Sequence, residues 1–310
     1  MTINDHIEQF AGLPIFPYGS EAAIPNPPDV AVRIALDWEA HEEGQTFDDL
    51  FGKFLADAGS AGMRALVIGD WGGTGEGNGS EPVVEALVSA RDKLPNLRAL
   101  FLGEMTMDES EISWINQSDV SPLFEAFPQL ECLYIRGGEG LSLGRPRHQT
   151  LRELVIETGG MSGEIVREVT AAQLPALEHL ELWLGDNAYG NDVGAEDIAA
   201  LLSDGPVAKL KYLGLRDDIN ADRTADLLAE KGVPPTVEVL DLSLGTLTDE
   251  GAIALADCEW IKSLKKLDIH FHYVSPAVVE RLKGIVPDVD ASDVQVADDE
   301  EGRIRGNRVE

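Results

Sequence analysis

The sequence predicts an α/β fold built by repetition, a parallel sheet backed by helices, and three observations predict it. First, a hexamer of pattern L-x-x-L-x-L recurs along the chain as MRALVI, LRALFL, LECLYI, LRELVI, LEHLEL, LKYLGL, VEVLDL and LKKLDI, after a degenerate copy, VRIALD. Second, the last apolar residues of the copies, Leu36, Ile68, Leu102, Ile135, Ile156, Leu182, Leu215, Leu242 and Ile269, are spaced by 32, 34, 33, 21, 26, 33, 27 and 27 residues. Leucine-rich repeats run about 20 to 29 residues, so several of these units are long. Third, most segments between copies carry apolar residues at three- and four-residue spacing, the period of an amphipathic helix. The expected architecture is a horseshoe-like leucine-rich-repeat solenoid with nine parallel strands on the concave side and helices on the convex side.

Strand periodicity fixes the roles within each hexamer. Positions four and six point to one face and positions three and five to the other. Stacked copies bury the Leu and Ile rows in a continuous core, and each unit needs its neighbours to do so.

In chain order, residues 1–30 are expected to be a cap. Pro14, Pro17, Pro25, Pro27 and Pro28 exclude a helix or a central strand there. Phe10, Leu13, Ile15, Phe16 and Tyr18 can cover the first edge of the sheet. The repeat domain then spans 31–290. Its helices are expected near 46–58, 81–94, 120–127 with a turn at 111–117, 163–173, 195–203, 221–231, 249–258 and 276–285. Thr248 before Asp249 and Glu250 reads as an N-cap, and Ser275-Pro276 as a cap followed by an N1 proline. The 21-residue unit between Ile135 and Ile156 leaves no room for a helix, so residues 136–150 should be a helix-free connection. VPDVDAS can add a short edge strand, and residues 291–310 are expected to be a disordered charged tail.

Composition narrows function. The chain has 24 Lys and Arg against 56 Asp and Glu, a formal charge of −32, which repels nucleic-acid phosphates and anionic membranes. It favours solubility or a basic protein or peptide partner. Cys132 and Cys258 form no disulfide framework, there is no run of about 18 apolar residues, and MTINDHIEQF is no secretory signal, so a cytoplasmic location is expected. GDWGGTGEGNGS follows a strand and precedes a helix, yet it contains neither G-x-G-x-x-G nor a Walker lysine, and reads as a solvated insertion without a nucleotide.

The chain resembles ribonuclease-inhibitor-like leucine-rich-repeat proteins in its L-x-x-L-x-L strands, its long helical units and the segment LGTLTDEGA. Through HIEQFAGLPIF, EISWINQSDVSPL, LEHLELWLG and LDLSLGTLTDEGA it is similar to an uncharacterised bacterial family of cytosolic leucine-rich-repeat proteins, over nearly its whole length apart from the tail. That resemblance implies a role accessory to a bacterial modification pathway and carries over no catalytic residues. The helix-free short unit departs from the even alternation of the inhibitor-like proteins.

Candidate site residues follow from strand phase. The open face should begin small and apolar, with Ala65, Val67, Gly69, Ala99, Phe101 and Gly103. It should continue through a binding region of Tyr134, Arg136, Glu157, His179, Glu181, Trp183, Tyr212, Arg216 and Asp241, with Glu153 beside them. Aromatic and Arg side chains among carboxylates are what binding hot spots are made of. The competing reading packs Trp183 and Tyr134 under a helix or loop laid over the sheet. Asp268, His270 and His272, two apart on a strand, give an alternative as a metal-binding or metal-dependent enzyme site. In EISWINQSDV, Trp114, Asn116, Gln117 and Asp119 either reach over the groove or leave Ile112, Trp114 and Ile115 filling a gap. No nucleophile elbow or cofactor fingerprint is present. The expected function is therefore a non-enzymatic binding or scaffold module with no cofactor, centred on Trp183 as an outward-facing anchor.

Overall fold

The computed structural model describes residues 4–19, 24–36, 38–57 and 59–296. The chain divides into two compact units, Met1–Glu157 and Thr158–Arg308.

The first unit opens with a hairpin of β1 (Gln9–Phe10) and β2 (Leu13–Pro17), antiparallel and joined by Ala11 and Gly12, both at positive φ. That left-handed pair is what a two-residue hairpin turn requires, and only Gly12 announces it in the sequence. β2 pairs in parallel with β3 (Ala31–Ile34), and the parallel order continues through β4 (Ala65–Ile68), β5 (Ala99–Leu102), β6 (Cys132–Arg136) and β7 (Glu153–Glu157). The expected Leu and Ile rows form the core, with Leu66, Ile68, Leu100, Leu102, Leu133, Ile135, Leu154 and Ile156 all fully buried.

Helices α1 (Trp38–Glu42), α2 (Phe47–Ala56), α3 (Glu81–Ser89) and α4 (Pro122–Ala126) connect these strands. α2 starts on a capping box in which Thr46 Oγ1 accepts from Asp49 N and the Asp49 carboxylate accepts from Thr46 N. α1 was not expected. Residues 137–150 hold no helix, in line with the short unit. Their chain instead bridges to the segment before it, Asn116 to Glu139 and Asp119 to Ser142, and His148 is buried with Nδ1 accepting from Leu151 N.

The second unit contains β8 (His179–Gly185), β9 (Tyr212–Asp218), β10 (Val239–Asp241), β11 (Lys266–Asp268) and β12 (Asp288–Asp290), all parallel and in sequential order. β12 is the added edge strand. Its helices are α5 (Gly163–Thr170), α6 (Ala195–Asp204), α7 (Ala221–Lys231), α8 (Asp249–Ala256) and α9 (Pro276–Lys283). Thr248 caps α8 by accepting from Glu250 N. Ser275 precedes Pro276 at the start of α9 but makes no side-chain cap bond; its N–H donates to Asp249 instead.

The nine expected strands thus appear as β3 to β7 and β8 to β11, five in one unit and four in the other. Nothing is described of residues 297–310, so most of the tail expected at 291–310 lies outside the described residues. No helix among the described residues is long and apolar enough to cross a membrane.

Candidate functional site

In the first unit the strand register aligns Ala31, Ala65, Ala99 and Cys132 in one row, and Arg33, Val67, Phe101 and Tyr134 in the next. This small apolar face is not open, which corrects the expectation for Ala65, Val67, Ala99 and Phe101. Phe10 of the hairpin lies over it, 5.8 Å from the Phe101 ring and edge-on to Tyr134 at 5.3 Å, and the face becomes a second apolar core. Sequence reading gave these residues the first edge of the sheet; β2 pairs with both β1 and β3 in spite of Pro14 and Pro17, and Phe10 on β1 packs over the face. Glu104, fully buried, ties the segment down. One of its oxygens accepts from Ile7 N at 3.1 Å and the other from Arg33 Nε at 2.6 Å, with His6 Nδ1 3.1 Å away.

Beside this core, Arg136 donates through Nε to Glu157 at 2.6 Å and through a terminal nitrogen to the Met105 carbonyl, and its guanidinium covers the Phe101 ring. Arg136 and Glu157 are 1% and 2% exposed. They form an internal ion pair, not an exposed patch. Tyr134 remains half-buried and donates to Glu153 at 3.3 Å.

In the second unit, register builds three rows across the sheet. His179, Tyr212, Val239 and Lys266 make the outermost and half-buried row; Glu181, Gly214, Asp241 and Asp268 follow; Trp183 and Arg216 come next on the first two strands. The His179 and Tyr212 rings stack with centroids 4.0 Å apart and planes within 4°. Gly214 makes room for this arrangement, because a Cβ there would lie 3.1 Å from both the Tyr212 ring and the Glu181 side chain.

Beneath the rings runs a polar network. Tyr212 donates to Asp241 at 2.6 Å, with Glu181 3.2 Å away. Arg216 donates to Glu181 at 2.7 Å and to Ser243 Oγ at 2.9 Å, lies 3.4 Å from Asp241, and covers the Trp183 ring. Trp183 donates to the same Glu181 oxygen at 2.7 Å. His179 Nε2 stands 3.5 Å from Glu181, a long contact, so Arg216 and Trp183 are the donors on which that carboxylate chiefly rests.

Burial corrects the picture of exposed anchors. Trp183 is 1% exposed, and Glu181, Arg216 and Asp241 are also buried. Of the predicted binding residues in this unit, only His179 and Tyr212 present surface.

The network holds its charges firmly. Burial acts to raise the Glu181 carboxyl, but the His179 contact, the Arg216 charge and the Trp183 and Arg216 donors overrule it and hold the group down at about 2. Burial and the neighbouring Glu181 and Asp241 carboxylates push the Tyr212 hydroxyl far above its usual range, keeping it neutral. Burial opposes the Arg216 charge, yet the same two carboxylates raise its pKa further. None of these three groups exchanges a proton near neutral pH.

Along the sheet, Asp268, His270 and Asp290 bring one ligand atom each within 4.8 Å of one another. His272 is not part of this group, which corrects the expected Asp268, His270, His272 set. Phe271 sits at φ 59°, so the strand alternation that would align His270 with His272 is broken. His272 is fully buried, accepting from Val274 N at 2.9 Å while its Nε2 lies 3.2 Å from the Ala291 carbonyl. Asp290, on β12, takes the third place; only the register of an edge strand could have revealed it. Lys266 Nζ, 2.8 Å from Asp268, already neutralises one of the carboxylates. Burial works against the Asp268 charge, but hydrogen bonds from His270 and Lys266 outweigh it and hold the carboxyl far below its usual range.

No protein-family model matches the chain, and no curated protein matches it in sequence. A solved structure from Bacteroides fragilis is similar at 33% identity, covering 86% of this chain and 76% of that one, with a TM-score of 0.79. The chain belongs to the family of that Bacteroides fragilis protein. An internalin of Listeria monocytogenes is matched at 15% identity over 86% of this chain and 75% of that one, with a TM-score of 0.31. Membership in the family carries the α/β fold with its sequentially ordered parallel strands and names no activity. Site residues therefore rest on this chain's own geometry, and two of them, Glu104 and Ser243, had no signal in the repeat pattern because each follows a strand end at a position the consensus leaves open.

Proposed function

We propose that the protein is a non-enzymatic binding module, a cytoplasmic leucine-rich-repeat solenoid of the ribonuclease-inhibitor-like kind, accessory to a bacterial modification pathway. It recognises a basic protein or peptide on the open face of the second unit. The observation that carries this reading is the stacked, partly exposed His179 and Tyr212 pair on a network in which Tyr212 is held neutral and Glu181 and Arg216 charged. The stacked rings stand over Glu181 and Asp241, and two carboxylates against the one Arg216 leave negative surroundings that suit a Lys or Arg side chain. Glu181, Tyr212 and Arg216, held away from titration near neutral pH, suit binding better than proton transfer, which needs groups poised near the working pH.

The test is a peptide array of Lys- and Arg-containing sequences, followed by calorimetry on the best binder. Tyr212→Ala and His179→Ala should each weaken it roughly tenfold or more, whereas Glu230→Lys on α7 should change it little. Unchanged affinity in both open-face variants would remove the second unit's sheet as the binding surface.

A second reading has one observation in its favour, the convergence of Asp268, His270 and Asp290. A divalent cation held there would need Lys266 to swing away from Asp268. Metal analysis of protein purified without an affinity tag separates the two readings. Stoichiometric zinc or iron lost in Asp290→Asn and His270→Ala would favour the metal site.

A further inference from the structure

The first unit carries a different surface at the carboxyl ends of β3, β4 and β5. Three loops meet there. Residue 38 begins α1 after β3, and the Trp38 ring lies 6.5 Å from His41. The loop after β4 packs on His41: a Cβ on Gly72 would stand 2.7 Å from its Nδ1, and Gly72 and Gly73 are both at positive φ, so no other residue fits this close approach without strain. On its other side the same loop accepts a hydrogen bond at Gly77 O from Asn116 Nδ2, 3.0 Å away, two residues beyond Trp114 in the segment after β5. At about 4.8 Å per strand, the loops leave the sheet over roughly 10 Å.

Two features set this edge apart. Trp38 is 59% exposed and Trp114 61%, and Met107, in the same segment after β5 as Trp114, is 41% exposed. Tryptophan is enriched at interfaces and among binding hot spots, and two exposed indoles on loops that meet at one edge supply a pair of candidate anchors. Charge is the second feature. Residues 35–46, 69–80 and 103–121 contain no Lys or Arg, while Glu39, Glu42, Glu43, Glu76, Asp108 and Glu111 are exposed. Arg33, the basic group that reaches this edge, is already paired with Glu104 and Glu109, so the exposed charge on these loops is acidic. Of the two expectations for EISWINQSDV, packing holds for Ile112 and Ile115, which are fully buried, and exposure holds for Trp114.

We infer that the loop edge bearing Trp38 and Trp114 docks a polypeptide segment carrying Lys or Arg, independently of the open face of the second unit. Indole faces attract guanidinium and ammonium groups, and the surrounding carboxylates steer them in and exclude acidic partners and anionic lipid.

The full chain labelled with 5-fluorotryptophan tests it. It has five tryptophans, and single substitutions assign the ¹⁹F resonance of each. Octa-arginine is the probe, with octa-glutamate and phosphatidylglycerol vesicles in parallel. Octa-arginine should shift the Trp38 and Trp114 signals, and the double variant Trp38→Ala/Trp114→Ala should bind it roughly tenfold more weakly with an unchanged melting temperature. Neutralising Glu85 on α3, exposed but away from this edge, should leave affinity as it is. The inference is overturned if Trp38 and Trp114 stay unmoved, if octa-glutamate or the vesicles move them equally, or if Glu85→Gln weakens binding as much as the double variant. A shift confined to Trp183 would support the open face of the second unit and discard this edge, so the two readings fail separately.

Discussion

Replacing Arg216 with Met should destabilise the second unit by about 3 to 5 kcal/mol, because it removes one half of a buried ion pair and leaves the other half stranded. The structure says which half. Asp241 keeps donors from Tyr212 at 2.6 Å and from Ser243 N at 2.9 Å. Glu181 loses its charged partner and keeps Trp183 as its one close donor. In the parent protein the Glu181 carboxyl is held at about 2 against an ordinary value of 4.5, a difference equivalent to about 3 kcal/mol at neutral pH. A carboxyl depressed on folding contributes stability that is present above its unfolded value and lost as pH falls through its folded value. Arg216→Met should therefore cost most at pH 7, and the gap to the parent should narrow at pH 4, where a proton removes the stranded charge. Thermal melts followed by near-ultraviolet circular dichroism measure this. At roughly 2 to 4 °C per kcal/mol, the loss at pH 7 should be about 10 °C, and Glu181→Gln/Arg216→Met should recover part of it. A loss under about 2 °C at pH 7, or an identical loss at both pH values, would refute the reasoning.

Three further outcomes are expected. Trp183→Ala, which strand phase alone would treat as a harmless surface change, should cost about 3 to 5 kcal/mol in urea unfolding because the ring is buried under Arg216. Phe10→Ala should open the apolar face of the first unit, cost a similar about 3 to 5 kcal/mol, and raise amide exchange of residues 6–10 by mass spectrometry. His272 should stay neutral in an NMR titration down through its ordinary value of 6.5, since burial lowers its pKa against the opposing pull of the Ala291 carbonyl. The depressed value means that this histidine's contribution to stability is complete above 6.5 and lost on acidification.

Much of the fold was legible because a hexamer repeated with so little variation leaves few alternatives. Leu and Ile at positions four and six had to share a face, and each helix had to fill the interval between two strands. What escaped was set by backbone conformations and partners that the pattern does not encode. Ala11 adopts φ 50° in the hairpin turn and Phe271 φ 59° after β11. The first folds Phe10 over the sheet, the second turns His272 into the interior, and neither residue type advertises a left-handed conformation. The candidate site was located by strand phase but misjudged in exposure. Phase says that Glu181, Trp183 and Arg216 point away from the leucine core; it cannot say that they satisfy and cover one another.

That mutual cover has a further consequence. Near-identical hexamers give a chain many almost equivalent ways to pair its strands, and a slip of one residue would carry the open-face side chains into the core. Arg136 faces Glu157 directly across β6 and β7, Arg216 reaches Glu181 from β9 to β8, and Arg33 reaches Glu104 from β3 to the end of β5. A buried pair of this kind adds little net stability over an apolar pair, because desolvation consumes most of the attraction. Its cost in a wrong register is much larger, since both charges would then be buried without partners. The role expected of the three pairs is therefore specificity, a penalty on the misregistered stacks that the leucines tolerate. Glu181→Gln/Arg216→Met isolates this effect, because it restores packing while removing the penalty. Regained melting temperature together with broadened or doubled amide resonances in β8 and β9 is the signature of register control, and sharp single resonances would assign these pairs to stability alone.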